Sequence, residues 1–97
     1  MSVKKLWTEI RKIMEKGRGY ELKEILEERK DAIEAIFQRK GKKTFVSLSN
    51  KKISVQKIRR MISKMEEYGC SDAILATTRD ATPQARKEAS EHRIDII

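Results

Sequence analysis

The sequence predicts an α/β fold: a small central mixed sheet that carries a β-hairpin and is flanked by helices. Three observations point there. Two short alternating segments bracket a basic turn. Two longer segments carry apolar residues at helical spacing. From the hairpin onward the order is helix, strand, helix, strand, which implies right-handed crossovers and at least a partly parallel sheet. The chain has 97 residues, enough for one domain, 1–97, with a single modest core.

Val3 to Lys16 reads as the first helix, capped by Ser2. Leu6, Ile10 and Ile13 share its apolar face, with Val3, Trp7 and Met14 beside them. Gly17 and Gly19 stop it. Tyr20 to Arg29 fits either a short helix or an irregular strand: Leu22, Ile25 and Leu26 suit a helical face, and glutamates crowd the remainder. Asp31 to Phe37 alternates Ile33, Ala35 and Phe37 with Ala32, Glu34 and Ile36, the pattern of a strand. Arg39 to Lys42 makes a turn, and Thr44 to Leu48 returns as the second strand of a hairpin.

Ser54 then caps a second long helix, Val55 to Tyr68. Val55, Ile58, Ile62 and Met65 form its buried stripe, flanked by Met61, while Lys57, Arg60 and Lys64 are expected on its outer side. Gly69 ends it. Asp72 to Thr77 is a short, mostly apolar run of the kind found in a buried strand. Thr82 and Pro83 suit the N-cap and first position of a third helix that runs to Glu91. Arg93 to Ile97 reads as a last strand.

Charge is distributed unevenly. Residues 35–65 hold ten of the 23 Lys and Arg and none of the 15 Asp and Glu, so this window is +10 and the remainder −2. Such concentration marks a surface that meets a polyanion, most often nucleic acid. The expected contacts to DNA or RNA phosphates are Arg39, Lys40, Lys42 and Lys43 at the turn, Lys51 and Lys52 after the hairpin, and Lys57, Arg60 and Lys64 on the helix. The competing readings are a solvated face and contact with an acidic protein surface. Trp7, Tyr20 and Phe45 suit packing better than base stacking, and no base-reading motif stands out.

Several classes are disfavoured. No apolar run is long enough to span a membrane. The N-terminal segment lacks an apolar signal core, so the expected location is intracellular, cytoplasm or nucleus. One cysteine forms no internal disulfide, and with one histidine it makes no zinc cluster. Cys70 is expected to be a structural thiol and His92 stands isolated. The Thr77 to Pro83 connection is not glycine-rich and reads as a capping loop.

Metal-dependent nucleases commonly place an Asp at the start of one hairpin strand and an acid-x-Lys on the next, so that carboxylates hold Mg²⁺ and the lysine assists the nucleophile. Asp31 would open the first strand, with Glu21 and Glu34 as further carboxylates. The second strand instead offers Ser47 and Ser49 where the acid and the lysine would fall. The expectation is therefore no catalytic residue and no cofactor. The alternative is a divergent Mg²⁺-dependent endonuclease or junction resolvase using Glu21, Asp31 and Glu34, with the missing group supplied by the other copy in a homodimer.

Two segments carry a family resemblance. Leu6-Trp7-Thr8-Glu9-Ile10-Arg11 leads to Arg18-Gly19-Tyr20, and Val55 to Ile62 leads through Asp72 to Ala76 to Thr82-Pro83-Gln84-Ala85. Together they resemble the N-terminal jaw domain of the small shared subunit of eukaryotic RNA polymerases, which has a counterpart in the archaeal enzyme. The second half also resembles Mrr-type restriction endonucleases and archaeal junction resolvases. Both resemblances imply a restriction-endonuclease-like core. The first implies a domain without nuclease activity, acting in transcription near DNA with RNA polymerase subunits. The polymerase subunit continues into an assembly domain that this sequence does not include, and its archaeal counterpart generally lacks the jaw. Against the nucleases, the acid-x-Lys is absent, so no catalytic residue carries over.

Overall fold

A computed structural model describes residues 2–97. A five-stranded mixed sheet separates one helix on one face from two on the other. Helix α1 (Val3–Lys12) begins at Ser2, whose hydroxyl accepts a hydrogen bond from the Lys5 amide at 3.1 Å. It continues into one π-helical turn, Ile13–Gly17, closed by the Arg18 amide donating to the Ile13 carbonyl at 3.0 Å. The buried residues of this segment are Val3, Trp7, Ile10 and Met14, spaced four, three and four apart. The expected face through Leu6, Ile10 and Ile13 is therefore rotated: Leu6 is half-buried and Ile13 is 46% exposed. The buried set keeps α-helical spacing through Met14, so the stripe that packs on the sheet runs through Trp7 and not Leu6 before the π turn begins.

Strand β1 (Glu21–Glu28) resolves the ambiguous segment in favour of an irregular strand. It pairs antiparallel with β2 (Ala32–Arg39), and its register shifts twice, between Leu22 and Glu24 and between Ile25 and Glu27. Each bulge inserts a residue and breaks strict alternation. That is why Leu22, Ile25 and Leu26 occur at helix-like spacing in a strand. β2 pairs antiparallel with β3 (Lys42–Ser49) through a two-residue turn, Lys40-Gly41, with φ of 52° and 78°. Positive φ at both central positions gives the tight connection whose twist matches the hairpin. Asp31 lies just before β2 and not within it.

Helix α2 (Val55–Tyr68) crosses to β4 (Asp72–Thr77), which lies parallel to β3, and α3 (Pro83–Glu91) leads to β5 (Ile94–Ile96), parallel to β4. The sheet order is β1-β2-β3-β4-β5. Alternation then divides the core. Ile33, Ala35, Phe37, Val46, Leu48, Ile74 and Ala76 face α1, where Trp7 packs against Phe37 at 5.9 Å between ring centroids. Ile36, Phe45, Ala73 and Leu75 face α2 and α3. In α2 the fully buried residues are Ile58, Met61 and Met65, while Val55 and Ile62 are half-buried. Burying a side chain such as Phe37 or Leu75 contributes about 1.5–3 kcal/mol each.

Two loops at one end of the sheet are bound together. The β3–α2 and β4–α3 connections form an isolated parallel bridge between Ile53 and Ala81. The Thr77 hydroxyl donates to the Lys51 carbonyl at 2.9 Å, and the Thr82 amide donates to the Ile53 carbonyl at 3.0 Å. Thr82 also caps α3 by accepting from the Ala85 amide at 3.1 Å. The Thr77 to Pro83 connection is thus a structural brace. No helix is long and apolar enough to cross a membrane among the described residues.

Gly69 ends α2 with φ of 69°, and nothing lies within 4 Å of where a Cβ would stand. A Gly69→Ala substitution should therefore cost only the backbone strain, about 1–2 kcal/mol, measurable by urea denaturation.

Candidate nucleic-acid interface

One carboxylate lies in the layer between the sheet and α2. Glu34 is central in β2, 4% exposed, and belongs by alternation to the face that otherwise buries Ile36 and Phe45. Its two oxygens are held separately: Lys64 Nζ lies 2.5 Å from Oε1 and Lys57 Nζ lies 3.4 Å from Oε2. Lys57 and Lys64 are seven residues apart and share a helix face beside the Ile58–Met65 stripe. Their ammonium groups turn inward onto Glu34. This corrects the expectation for them: of the three outer lysine and arginine positions on α2, Arg60 alone is exposed, and Lys57 and Lys64 are half-buried.

Burial works to raise the Glu34 pKa, yet the Lys64 hydrogen bond, the charges of Lys57 and Lys64 and the Lys57 hydrogen bond together outweigh it and hold the carboxyl below its ordinary range. Burial pushes the Lys57 ammonium below the ordinary lysine range, and the charge and hydrogen bond of Glu34 only partly oppose this. The shorter contact marks Lys64 as the firmer partner. Lys57 is the less satisfied cation.

Ser47 stands directly opposite Glu34 across the hairpin, and Ser49 stands opposite Ala32. The Ser47 hydroxyl is fully buried and has no hydrogen-bond partner, whereas Ser49 Oγ accepts from the Lys51 amide at 3.1 Å. The acid-x-Lys positions therefore do face the same layer as Glu34, but they carry neutral hydroxyls. The expected carboxylate set does not converge. Glu21 pairs with Gln38 near the hairpin tip, whereas Asp31 precedes Ala32 at the hairpin base. Seven strand residues, roughly 23 Å, separate those ends. Glu34 lies between them with both oxygens engaged. Among the described residues no group of three His, Cys, Asp or Glu could hold a metal ion. The donor set does not fit a divalent cation.

The basic window, continuous in sequence, divides in space. Arg39, Lys40, Lys42 and Lys43 lie at the hairpin tip. Lys51, Lys52, Lys57 and Arg60 lie at the opposite end, where β3 leads into α2. Arg39 is fixed, donating to the Arg18 carbonyl at 2.8 Å and stacking over Tyr20 at 4.8 Å. Lys42 lies 3.9 Å from Asp72. Among the described residues, Arg39, Lys40, Lys43, Lys51, Lys52 and Arg60 have no carboxylate within ion-pair distance. Arg59, also in the window, reaches Glu88 of α3 at 3.7 Å. Cys70 is half-buried, and burial raises its thiol pKa, which suits an unreactive side chain.

The family model Mrr_cat, described as Restriction endonuclease, matches residues 1–97. Among curated proteins, none matches by sequence. A solved structure, EndoMS in apo form, superposes with a TM-score of 0.65 at 15% identity, over 93% of this chain and 44% of the other. The chain thus spans less than half the length of that relative, and the likeness is one of fold.

Because the folded Glu34 pKa is depressed, its stabilising contribution is complete above the ordinary glutamate pKa and is lost as pH falls through the lower, folded value. Glu34→Ala should lower stability by about 2–3 kcal/mol at neutral pH, and Glu34→Gln should flatten the acid limb of the stability curve. Urea denaturation across the acid range measures both.

Proposed function

We propose that this chain, which belongs to the Mrr_cat restriction endonuclease family, binds nucleic acid through its phosphates and does not cleave it. The observation that carries this reading is the state of Glu34. In the layer where nuclease chemistry needs carboxylates free for a metal, this one is neutralised by two lysines, and the facing hairpin strand offers Ser47 and Ser49. Meanwhile exposed cations at both ends of the hairpin remain without acidic partners among the described residues.

The two basic clusters stand roughly 23 Å apart, judged from strand length, which corresponds to about seven phosphates along one strand at 3.4 Å each. Contacts at both ends would set the register of the domain on a duplex without reading bases. DNA is the preferred ligand class, since the family is one of restriction endonucleases.

A role beside RNA polymerase is the narrower form of this proposal. Much of the motif resemblance behind it is explained by the fold alone: Trp7 packs on Phe37, Thr82 caps α3 and Ala85 is fully buried. The polymerase reading therefore rests on the basic surface. An acidic protein face would meet that surface equally well, and co-purification with polymerase subunits, resistant to nuclease treatment, would support it.

Fluorescence anisotropy of labelled duplex DNA across a salt series tests the main proposal. Micromolar binding that weakens steeply with salt is expected, with each neutralised phosphate contributing about 0.9 to the slope. Lys40→Ala and Lys52→Ala should each reduce that slope by about 1. Incubation of plasmid or branched DNA with Mg²⁺ or Mn²⁺ should leave it intact. Cleavage that Asp31→Ala abolishes would establish the nuclease alternative instead.

A further inference from the structure

At the base of the hairpin, beneath the first turn of α2, lies a cavity of about 260 Å³. The small residues Ala32 and Ser49, paired across the hairpin, line it. Its walls carry Arg29, Lys51, Lys52, Lys57 and Arg60 against a single carboxylate, Asp31. A larger cavity of about 610 Å³ at the hairpin-tip end sets Arg18, Lys42 and Arg93 against Asp72 and Asp95, and Asp72 already accepts from Thr44 at 2.6 Å. The smaller cavity has by far the greater excess of positive charge.

We propose that this cavity binds a phosphate monoester, the terminal phosphate of a nucleic-acid end, with cations where a nuclease would use a metal ion. The inference rests on the phosphate-binding reading above and narrows it to one site and one ligand class. Size argues for the group and against a whole nucleotide, because pockets that enclose drug-sized ligands run to roughly 300–1,000 Å³. Charge argues for a monoester. A terminal phosphate carries about −1.5 to −2 at neutral pH, while a bridging diester carries a single charge, so the excess of cations discriminates between them.

Local structure supports the assignment. The Ser54 side chain makes no capping hydrogen bond to α2; the Lys57 amide donates to the Ser54 carbonyl at 3.1 Å, which leaves the Gln56 amide at the cavity for an anion in addition to the side-chain cations. Lys57 both lines the cavity and shares Glu34 with Lys64, so its ammonium is incompletely compensated by protein groups. A second anion on its open side would complete that compensation. The bridge between Ile53 and Ala81 fixes the loop that carries Lys51 and Lys52, so the site is held ready before ligand arrives.

The experiment compares duplexes identical except at one end, bearing a 5′-phosphate, a 3′-phosphate or hydroxyls, with the label at the far end. One phosphorylated form should bind about tenfold tighter than the hydroxyl form. The double variant Lys51→Ala/Lys52→Ala, both exposed, should abolish that preference. Lys40→Ala should weaken every duplex alike and preserve the ratio. Equal affinity for all three ends, with duplex binding intact, overturns this inference and leaves the proposed function standing. Failure of every duplex to bind overturns both. Titration with inorganic phosphate, followed by the amide resonances of Val55 to Lys57, separates the sources: shifts there without an end preference overturn the nucleic-acid assignment in favour of a free-anion site.

Discussion

The interaction on which the arrangement depends is the buried ion triad of Glu34, Lys57 and Lys64. A lone carboxylate under a helix would carry a heavy desolvation cost and would shift toward its neutral form. Two lysines from one helix face offset that cost at Glu34, part of it passing to Lys57, and in doing so they join α2 to β2 across a layer that is otherwise apolar. The triad also fixes rotation: α2 cannot turn about its axis without withdrawing at least one ammonium. Everything that α2 presents outward, including Arg60 and the wall of the basal cavity, follows from that constraint.

The same triad separates two uses of one layer in this fold. Carboxylates that gather a metal need open oxygens and a site tolerant of further positive charge. Here the oxygens are engaged and the surroundings are already cationic. That arrangement is what the proposed anion-binding role of the hairpin base rests on. Among the described residues, the fully buried Ser47 hydroxyl, opposite Glu34 and without a partner, is the one polar group in this layer that packing and pairing do not account for.

Much of the architecture is legible in the sequence. The bounds of α2 and β4 agree with periodicity, Gly69 and the apolar run from Ala73 to Ala76, because each segment has strong local signals and no competing one. β1 reads ambiguously because two bulges give a strand helical spacing, and bulges are specified by the partner strand. The face of α1 differs by one position from the one expected, because Val3, Trp7, Ile10 and Met14 have an equally regular helical spacing and only packing on the sheet decides between the two. The site is less legible. Charge counting finds the basic window, but a linear window says nothing of its division between two ends of a hairpin. Lys57 and Lys64 read as solvent-facing because nothing in α2 itself points to Glu34, which lies 23 and 30 residues away in sequence. The cavity brings together residues from the β1–β2 turn, the ends of β2 and β3 and the start of α2, a tertiary fact.

The bulged edge of the sheet has a consequence for behaviour in a crowd. β1 is bordered by solvent on its free side, and four of its eight residues are glutamate. Its pairing register is interrupted twice, so it offers a neighbouring chain no long, flat row of amides and carbonyls. A basic protein gathered on a polyanion is brought to high local concentration, where flat, uncharged strand edges would zip together. Were the proposed binding to concentrate copies on one polyanion, this irregular acidic edge would keep them separate folded units.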